Sequence, residues 1–170
     1  MTSAYLVTGE PGIGKTTLIR QVVSTMRLRA AGFYTEDLRA AGAREGFRIV
    51  TLDGDVALLA SAGFPGPVRV SKYGVNLAEL DRVGVAALER ALERQHVMVA
   101  DEIGKMQLSS RAFRRIVLEA VWRGHPLLGT IMRGRSPYAD RIKAHVNVEV
   151  VELTERNRQD VLNLLRNRFL

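Results

Sequence analysis

The stretch GEPGIGKTTL, residues 9–18, has the residue types and spacing of a loop that binds phosphate. It fits G-x-x-x-x-G-K-[ST], in which Gly9, Gly14, Lys15 and Thr16 hold the fixed positions. Glycine lets the backbone turn successive N–H groups toward an anion, and the following helix adds its positive end. Lys15 is expected to reach the β- and γ-phosphates of a nucleotide, and the Thr16 hydroxyl to ligate Mg²⁺. The predicted nucleotide-binding residues of the loop are Gly9, Glu10, Pro11, Gly12, Ile13, Gly14, Lys15, Thr16 and Thr17.

A second stretch, VMVADEIGKM (97–106), brings two carboxylates to the end of an apolar run. If this run is a parallel strand, its carboxyl end lies at the edge of the sheet where ligands bind. Asp101 is then expected to hold Mg²⁺, and Glu102 to orient a water molecule and accept its proton. An acidic strand end without catalytic function is the alternative. The presence of the phosphate loop in the same chain favours catalysis.

Four further polar residues follow apolar runs and have two interpretations each. Lys105 could neutralise charge that develops on a transferred phosphoryl group, or it could be a solvated loop lysine. Thr130 could contact the γ-phosphate or the attacking water, or it could be an ordinary strand residue. Arg133 and Arg135 could face phosphate, although a role as loop arginines is favoured.

Two candidate surfaces could complete a nucleotide site. Asn157 and Arg158 follow the last predicted strand and could pack on a base, or they could be polar residues of a helix surface. Tyr34, Glu36 and Arg39 are expected on one face of a β-prone segment. That face could form a lid over the nucleotide or be simply solvated.

Apolar runs and helical periodicities alternate along the chain, which predicts the elements that position these residues. We expect strands at 4–8, 97–100, 126–131 and 146–153, and helices at 15–29, around 80–92, around 113–121 and after Thr154 as N-cap. The alternation predicts an α/β fold with a mainly parallel sheet, and together with the phosphate loop it predicts a three-layer P-loop fold. Residues 33–39 and 46–54 break this rhythm as a predicted hairpin, within a β-rich insertion at approximately 33–75. The whole chain, 1–170, is expected to be a single domain.

Composition excludes several classes of protein. No cysteine is present, which excludes a disulfide, a thiol nucleophile and a thiolate metal site. No apolar run approaches the roughly 20 residues of a membrane span, and no signal-peptide pattern precedes the first strand. We therefore expect a cytoplasmic protein without a membrane partner, and a monomer.

The charge of the chain is basic but dispersed. The net charge is +7, and only four of the 25 basic residues are lysines. Such a charge could attract nucleic acid. The arginines form no stripe interleaved with aromatic residues, so a nucleic-acid partner is possible but not favoured.

The sequence resembles the small cancer-related nucleoside-triphosphatase family, found in thermophilic microbes and in vertebrates. The resemblance spans nearly the whole chain and rests on TGEPGIGKTTLI, on GFYTEDLR followed by GFRIVTLDG, and on DEIGKM, LGTI and LTERNR. It implies a compact P-loop domain with a mixed sheet and slow, Mg²⁺-dependent hydrolysis of ATP, GTP and other nucleoside triphosphates. Two departures stand out: Gln107 follows DEIGKM where the family usually has an acidic residue, and MRGR follows LGTI in place of a proline-containing segment.

The residues leave two other functions open. A kinase would transfer the γ-phosphoryl group to a nucleoside, nucleotide or polynucleotide bound under the insertion, although no acceptor-binding motif or arginine-rich lid is evident. A nucleotide-gated module that binds nucleic acid would use the net charge instead, and its affinity would fall steeply with salt.

Overall fold

Short apolar runs form the central strands of one nine-stranded sheet in the computed structural model, which describes residues 1–170. The strands are β1 (Ala4–Thr8), β2 (Ala30–Ala40), β3 (Ala43–Thr51), β4 (Val56–Ser61), β5 (Arg69–Val70), β6 (Tyr73–Val75), β7 (Val97–Ile103), β8 (Leu127–Ile131) and β9 (Val148–Glu152). Their order in the sheet is β5-β6-β4-β3-β2-β7-β8-β1-β9. Central strands are buried on both faces, which explains why their sequences are continuously apolar.

Helices cover both faces of the sheet. They are α1 (Lys15–Thr25), α2 (Leu77–Glu79), α3 (Ala86–Glu93), α4 (Lys105–Leu108), α5 (Arg111–Trp122), α6 (Pro137–Lys143) and α7 (Arg158–Arg168), with a π-helical segment at Leu80–Val85. Alternate residues of β1 belong to separate cores: Tyr5 and Val7 pack with α1 and α7, whereas Ala4 and Leu6 share a core with α3 and α5. None of the helices combines the length and the apolar character that crossing a bilayer requires.

The α/β P-loop architecture is confirmed, but the sheet is more evenly mixed than predicted. Strands β2, β7, β8, β1 and β9 are joined by four parallel pairings, and β2, β3, β4, β6 and β5 by four antiparallel ones. The β-rich insertion extends the sheet because β2 pairs on both sides, with β7 through Ala30–Phe33 and with β3 from Phe33 onward. The insertion therefore begins at the edge of the phosphate-binding half of the sheet.

Several predicted boundaries move by a few residues. Helix α1 ends at Thr25 rather than at residue 29, because Met26 already has extended backbone angles. Strand β7 continues to Ile103, so Asp101 and Glu102 belong to the strand, and the peptide bond between them is cis. The N-cap of α7 is Asn157 rather than Thr154.

Gly32 allows β2 to lie against β7, and replacing it by alanine is expected to destabilise the fold. Its φ is +141°, and an added Cβ would lie 1.9 Å from the Val99 carbonyl oxygen. Because that neighbour is backbone in a buried strand, we expect Gly32→Ala to reduce the free energy of unfolding by about 3 kcal/mol. Gly42→Ala is a matched control: its φ is +79°, but its Cβ would meet open space, so a loss of only about 1 kcal/mol is expected. Denaturant unfolding would measure both, and equal losses would contradict the steric argument.

Candidate active site

The phosphate loop joins the end of β1 to the start of α1. Gly12 and Gly14 have φ values of +77° and +97°, in the left-handed region that glycine favours. Gly14 is the N-cap of α1, and no side chain caps this end of the helix. The first N–H groups of α1 therefore remain available to an anion.

Lys15 lies across this loop. Its Nζ donates to the carbonyl oxygens of Gly9 and Glu10, at 3.0 Å each. These bonds hold the ammonium group against the first residues of the loop. A phosphate that enters the loop would meet a cation already in position.

Asp101 is the most heavily supported side chain of the site. It is buried, and its two carboxylate oxygens accept hydrogen bonds from Thr16 Oγ1 at 2.7 Å and from Thr130 Oγ1 at 2.6 Å. Thr35 Oγ1 donates to the Asp101 backbone carbonyl at 2.7 Å. Burial raises the pKa of Asp101, and the hydrogen bonds from Thr130 and Thr16 lower it. Thr130 thus orients the carboxylate. It does not itself line the cleft.

The residues at this point suit Mg²⁺. A hydroxyl and a carboxylate oxygen, from Thr16 and Asp101, lie 2.7 Å apart, and both are hard oxygen donors. No cluster of three or more His, Cys, Asp or Glu side chains forms an all-protein cage for a metal. Mg²⁺ is commonly held by one or two carboxylates together with substrate phosphates, so this sparse donor set fits the ion.

Glu102 lies in the same cleft as Lys15 and Asp101 and accepts no hydrogen bond. Its side chain folds over Gly104, where an added Cβ would lie 2.6 Å from Glu102 Oε1. Burial raises the pKa of Glu102, the adjacent Asp101 carboxylate raises it further, and Lys15 lowers it. A carboxylate that is half-buried and has no internal donor is free to bind a water molecule.

The cleft that contains these groups has a volume of about 860 Å³. It includes most of the predicted site, namely Gly9, Pro11, Gly12, Gly14, Lys15, Thr16, Thr17, Asp101, Glu102 and Lys105. Glu10 and Ile13 lie outside it, since the Glu10 side chain pairs with Arg133 and Ile13 packs on an apolar core. Of the predicted loop residues, these two contribute to the loop without facing the cleft.

Asn157 and Arg158 also lie outside the cleft. Asn157 Nδ2 donates to the Glu152 carbonyl and its Oδ1 accepts from the Thr154 N–H, each at 2.7 Å. Arg158 Nη1 donates to the Gly14 carbonyl at 3.2 Å, so it contacts the loop from behind. Both side chains are engaged with backbone at the loop and at the start of α7.

The cations around the cleft differ in how they are paired. Lys105 is exposed at the start of α4, and its amino group forms no hydrogen bond or ion pair within the chain. Arg133 lines the cleft and pairs with Glu10 and with Glu152. Arg135 is almost fully exposed, pairs with Asp140 and is not part of the cleft.

The hairpin of β2 and β3 faces the cleft, and of its lining residues sequence reasoning named only Arg39. Thr35, Asp37, Arg39, Arg44 and Phe47 line the cleft. The expectation that Tyr34, Glu36 and Arg39 share a face is wrong. Tyr34 and Glu36 contact Arg20 of α1, whereas Arg39, at an odd spacing from Tyr34, lies on the opposite face. Counting the alternation correctly would have placed Thr35, Asp37 and Arg39 together.

Gln107, which the sequence marked only as a departure from the family pattern, makes a contact that was not predicted. It is buried, and its Nε2 donates to Thr35 Oγ1 at 3.2 Å. It thereby supports the hydroxyl that holds the Asp101 backbone. No sequence signal pointed to this contact, because Thr35 and Gln107 lie on separate elements.

Comparison with known proteins agrees with this geometry. A family model described as NTPase matches residues 4–165. The chain is 45% identical to the nucleoside-triphosphatase THEP1 of Thermotoga sp. (strain RQ2), over 93% of this chain and 90% of that protein. The chain belongs to the THEP1 nucleoside-triphosphatase family.

Two solved structures of relatives share the fold. The crystal structure of THEP1 from the hyperthermophile Aquifex aeolicus has a TM-score of 0.88 and 34% identity, and the match covers 97% of this chain and 98% of that one. The solution structure of a human cancer-related nucleoside triphosphatase has a TM-score of 0.78, also at 34% identity, over 98% of this chain and 96% of that one. The THEP1 assignment confirms the resemblance inferred from the motifs and makes the chain an enzyme of the nucleoside-triphosphatase class.

Proposed function

We propose that the chain is a Mg²⁺-dependent phosphohydrolase that converts nucleoside triphosphates to diphosphates and phosphate, with Glu102 directing the water. The observation that carries the proposal is the meeting of three groups in one cleft: Lys15, the Thr16–Asp101 pair and Glu102. Thr16 and Asp101 would hold Mg²⁺, which when bound neutralises phosphate charge.

The roles of the residues follow from their positions. The amides of the loop and Lys15 bind the β- and γ-phosphates. Glu102 holds a water molecule in front of the γ-phosphorus and accepts its proton as the new P–O bond forms. The bond between the γ-phosphorus and the β–γ bridging oxygen breaks, and the diphosphate leaves. Lys105 and Lys15 offset the charge that spreads over the transferred group.

Broad tolerance of the base is part of the proposal. Of the two residues that could pack on a base, Asn157 bonds to backbone through both its amide nitrogen and its oxygen. Arg158 donates to the Gly14 carbonyl and to Gln21 Oε1. Without a side chain placed to read the base edge, ATP, GTP and other triphosphates should be hydrolysed at similar rates.

The direct test is release of phosphate from γ-labelled triphosphates by the purified chain, with Mg²⁺ and with EDTA. Label is expected in free phosphate, in the presence of Mg²⁺ only. Label that appears mainly on an added nucleoside, nucleotide or oligonucleotide would favour a kinase instead. Salt-sensitive binding of single-stranded DNA or RNA without hydrolysis would favour the nucleic-acid module.

Lys105→Ala is expected to lower kcat by a factor on the order of 10–100, because a cation at this edge stabilises the transition state. Nucleotide affinity and thermal stability should change little, since the amino group makes no bond within the chain. Lys105→Arg should restore part of the rate if charge is what matters. An unchanged kcat for Lys105→Ala would make Lys105 a solvated lysine, and a large loss of melting temperature would make it structural.

Thr130→Val is expected to lower the affinity for Mg²⁺ by about tenfold, because loss of a residue that supports a metal ligand commonly has an effect of this size. The valine keeps the shape of the side chain but removes the donor to Asp101 Oδ1. Activity measured across a Mg²⁺ titration would separate this effect from a loss of folding, since high Mg²⁺ should recover the rate. Thr130→Ser should behave like the parent, and a Mg²⁺ dependence unchanged in Thr130→Val would contradict the role.

A further inference from the structure

The cleft continues beyond the groups that hydrolysis requires. Its far wall, which we call the hairpin wall, consists of Asp37, Arg39, Arg44 and Phe47 on β2 and β3. Hydrolysis needs one water molecule in front of the γ-phosphate, and a water occupies roughly 30 Å³. The whole cleft, which includes the phosphate loop and must also hold the triphosphate, measures about 860 Å³, toward the upper end of the roughly 300–1,000 Å³ typical of small-molecule sites.

The position of the hairpin wall relative to the nucleotide follows from contacts at its base. Thr35, on the same face of β2, donates to the Asp101 carbonyl at 2.7 Å. The hairpin therefore joins the cleft at the carboxylates, which is the γ-phosphate end if the proposed function is right. The α-phosphate and base of that nucleotide extend away from this end. The hairpin wall thus faces the space in front of the γ-phosphate.

The hairpin wall has the chemistry of a site for a second phosphate. Arg39 and Arg44 both pair with Asp37 Oδ2, at 3.3 and 3.0 Å, so two cations share one anion and a net positive charge remains. Each guanidinium has five N–H donors, and these contacts use only some of them. Free guanidinium donors bind phosphate with good geometry.

The hairpin wall also offers a place for an aromatic ring. The Arg44 guanidinium lies over the Phe47 ring, 5.2 Å from its centroid, and Phe47 is itself held edge-on by Tyr73. The Arg44 side chain remains accessible to a ligand, with 44% of its surface exposed. Arginine and phenylalanine side chains both stack on nucleobases.

We propose that the hairpin wall is a second ligand site, which takes a nucleoside monophosphate while a nucleoside triphosphate occupies the phosphate loop. Its phosphate binds Arg39 and Arg44, and its base stacks on the Arg44–Phe47 pair. This proposal rests on the proposed function, because that function places the γ-phosphate at Glu102.

Calorimetry can test the site on the full chain. The protein is first saturated with Mg²⁺ and a non-hydrolysable β,γ-imido triphosphate, whose own affinity is measured, and AMP is then titrated. One AMP per chain is expected to bind in addition to the analogue. Inorganic phosphate should bind more weakly than AMP, and adenosine more weakly than inorganic phosphate. Arg39→Ala and Arg44→Ala should each lower the affinity for AMP by about tenfold and leave the affinity for the triphosphate analogue unchanged. Phe47→Leu should weaken AMP but not inorganic phosphate.

Arg48→Ala is the matched control. Arg48 lies on the same strand and is also paired with a carboxylate, Glu36, but it does not line the cleft. Its substitution should leave AMP binding unchanged.

Three results would overturn the second site: no AMP binding beside the analogue, displacement of the analogue by AMP, or parental AMP affinity in both arginine variants. Each of these results differs from a failure of the proposed function. If the proposed function is wrong, the analogue does not bind or triphosphate is not hydrolysed, and the second-site proposal is then wrong as well.

Discussion

Glu102→Gln is expected to reduce phosphate release by about 10²–10⁴-fold while nucleotide affinity stays within a few-fold of the parent. Glutamine has the shape of the glutamate and can still hold a water molecule, but it cannot accept the proton. The surroundings of Glu102 suit a base: burial and the adjacent Asp101 raise its pKa, Lys15 lowers it, and no internal donor occupies its oxygens.

Single-turnover hydrolysis and equilibrium binding should be measured on the same preparation, because the prediction separates chemistry from affinity. Glu36→Gln is a suitable control, since Glu36 lies on β2 but faces α1 through its ion pair with Arg20. A Glu102→Gln variant that hydrolyses ATP at the parental rate would show that another group directs the water. Loss of affinity together with rate would instead mean that the side chain holds the nucleotide.

The loop and the acidic pair could be predicted from the sequence because their geometry is local. Gly14, Lys15 and Thr16 are adjacent, and a parallel strand that carries Asp101 near its carboxyl end delivers the side chain to a known edge of the sheet. The same logic placed Thr130 at the end of β8, although not its partner. Its hydrogen bond to Asp101 depends on which strands are neighbours in the sheet.

Contacts between distant segments could not be predicted. Arg133 and Glu10 are 123 residues apart in sequence, and only the folded sheet brings them together. This pairing explains why one loop arginine lines the cleft and the other, Arg135, does not. The local interpretation that favoured both as loop arginines had no means to separate them.

The start of α7 could not be predicted from residue types, because two residues near it are suitable N-caps. Thr154 and Asn157 are both favourable N-cap types. Strand β9 ends at Glu152, and Asn157 bonds back to its carbonyl, which closes the turn before the helix. Helix α7 therefore starts later than the residue types alone suggested, and Asn157 is turned away from the cleft.

Lys15→Ala is expected to lower nucleotide affinity as well as kcat, unlike Glu102→Gln. Charged hydrogen bonds to phosphate contribute about 1.5–3 kcal/mol, so nucleotide affinity should fall by roughly 10–100-fold. The same ammonium stabilises charge on the γ-phosphoryl in the transition state, where loss of one such group costs about 10²–10³ in kcat. The combined loss in kcat/KM should then reach about 10³-fold or more, which is a complete loss in an ordinary assay.

The contacts of Lys15 predict little change in stability when the side chain is removed. Its Nζ bonds only to the Gly9 and Glu10 carbonyls, and Glu10 is exposed, so water can replace the ammonium there at small cost to stability. Lys15→Ala should therefore melt close to the parent, and Lys72→Ala, which alters an exposed lysine beside Tyr73, should retain parental activity. Melting curves, binding and phosphate release together decide the matter. If Lys15→Ala binds triphosphate as tightly as the parent, phosphate is held by the loop amides alone; if it unfolds at much lower temperature, the lysine bridge to the loop carbonyls is structural.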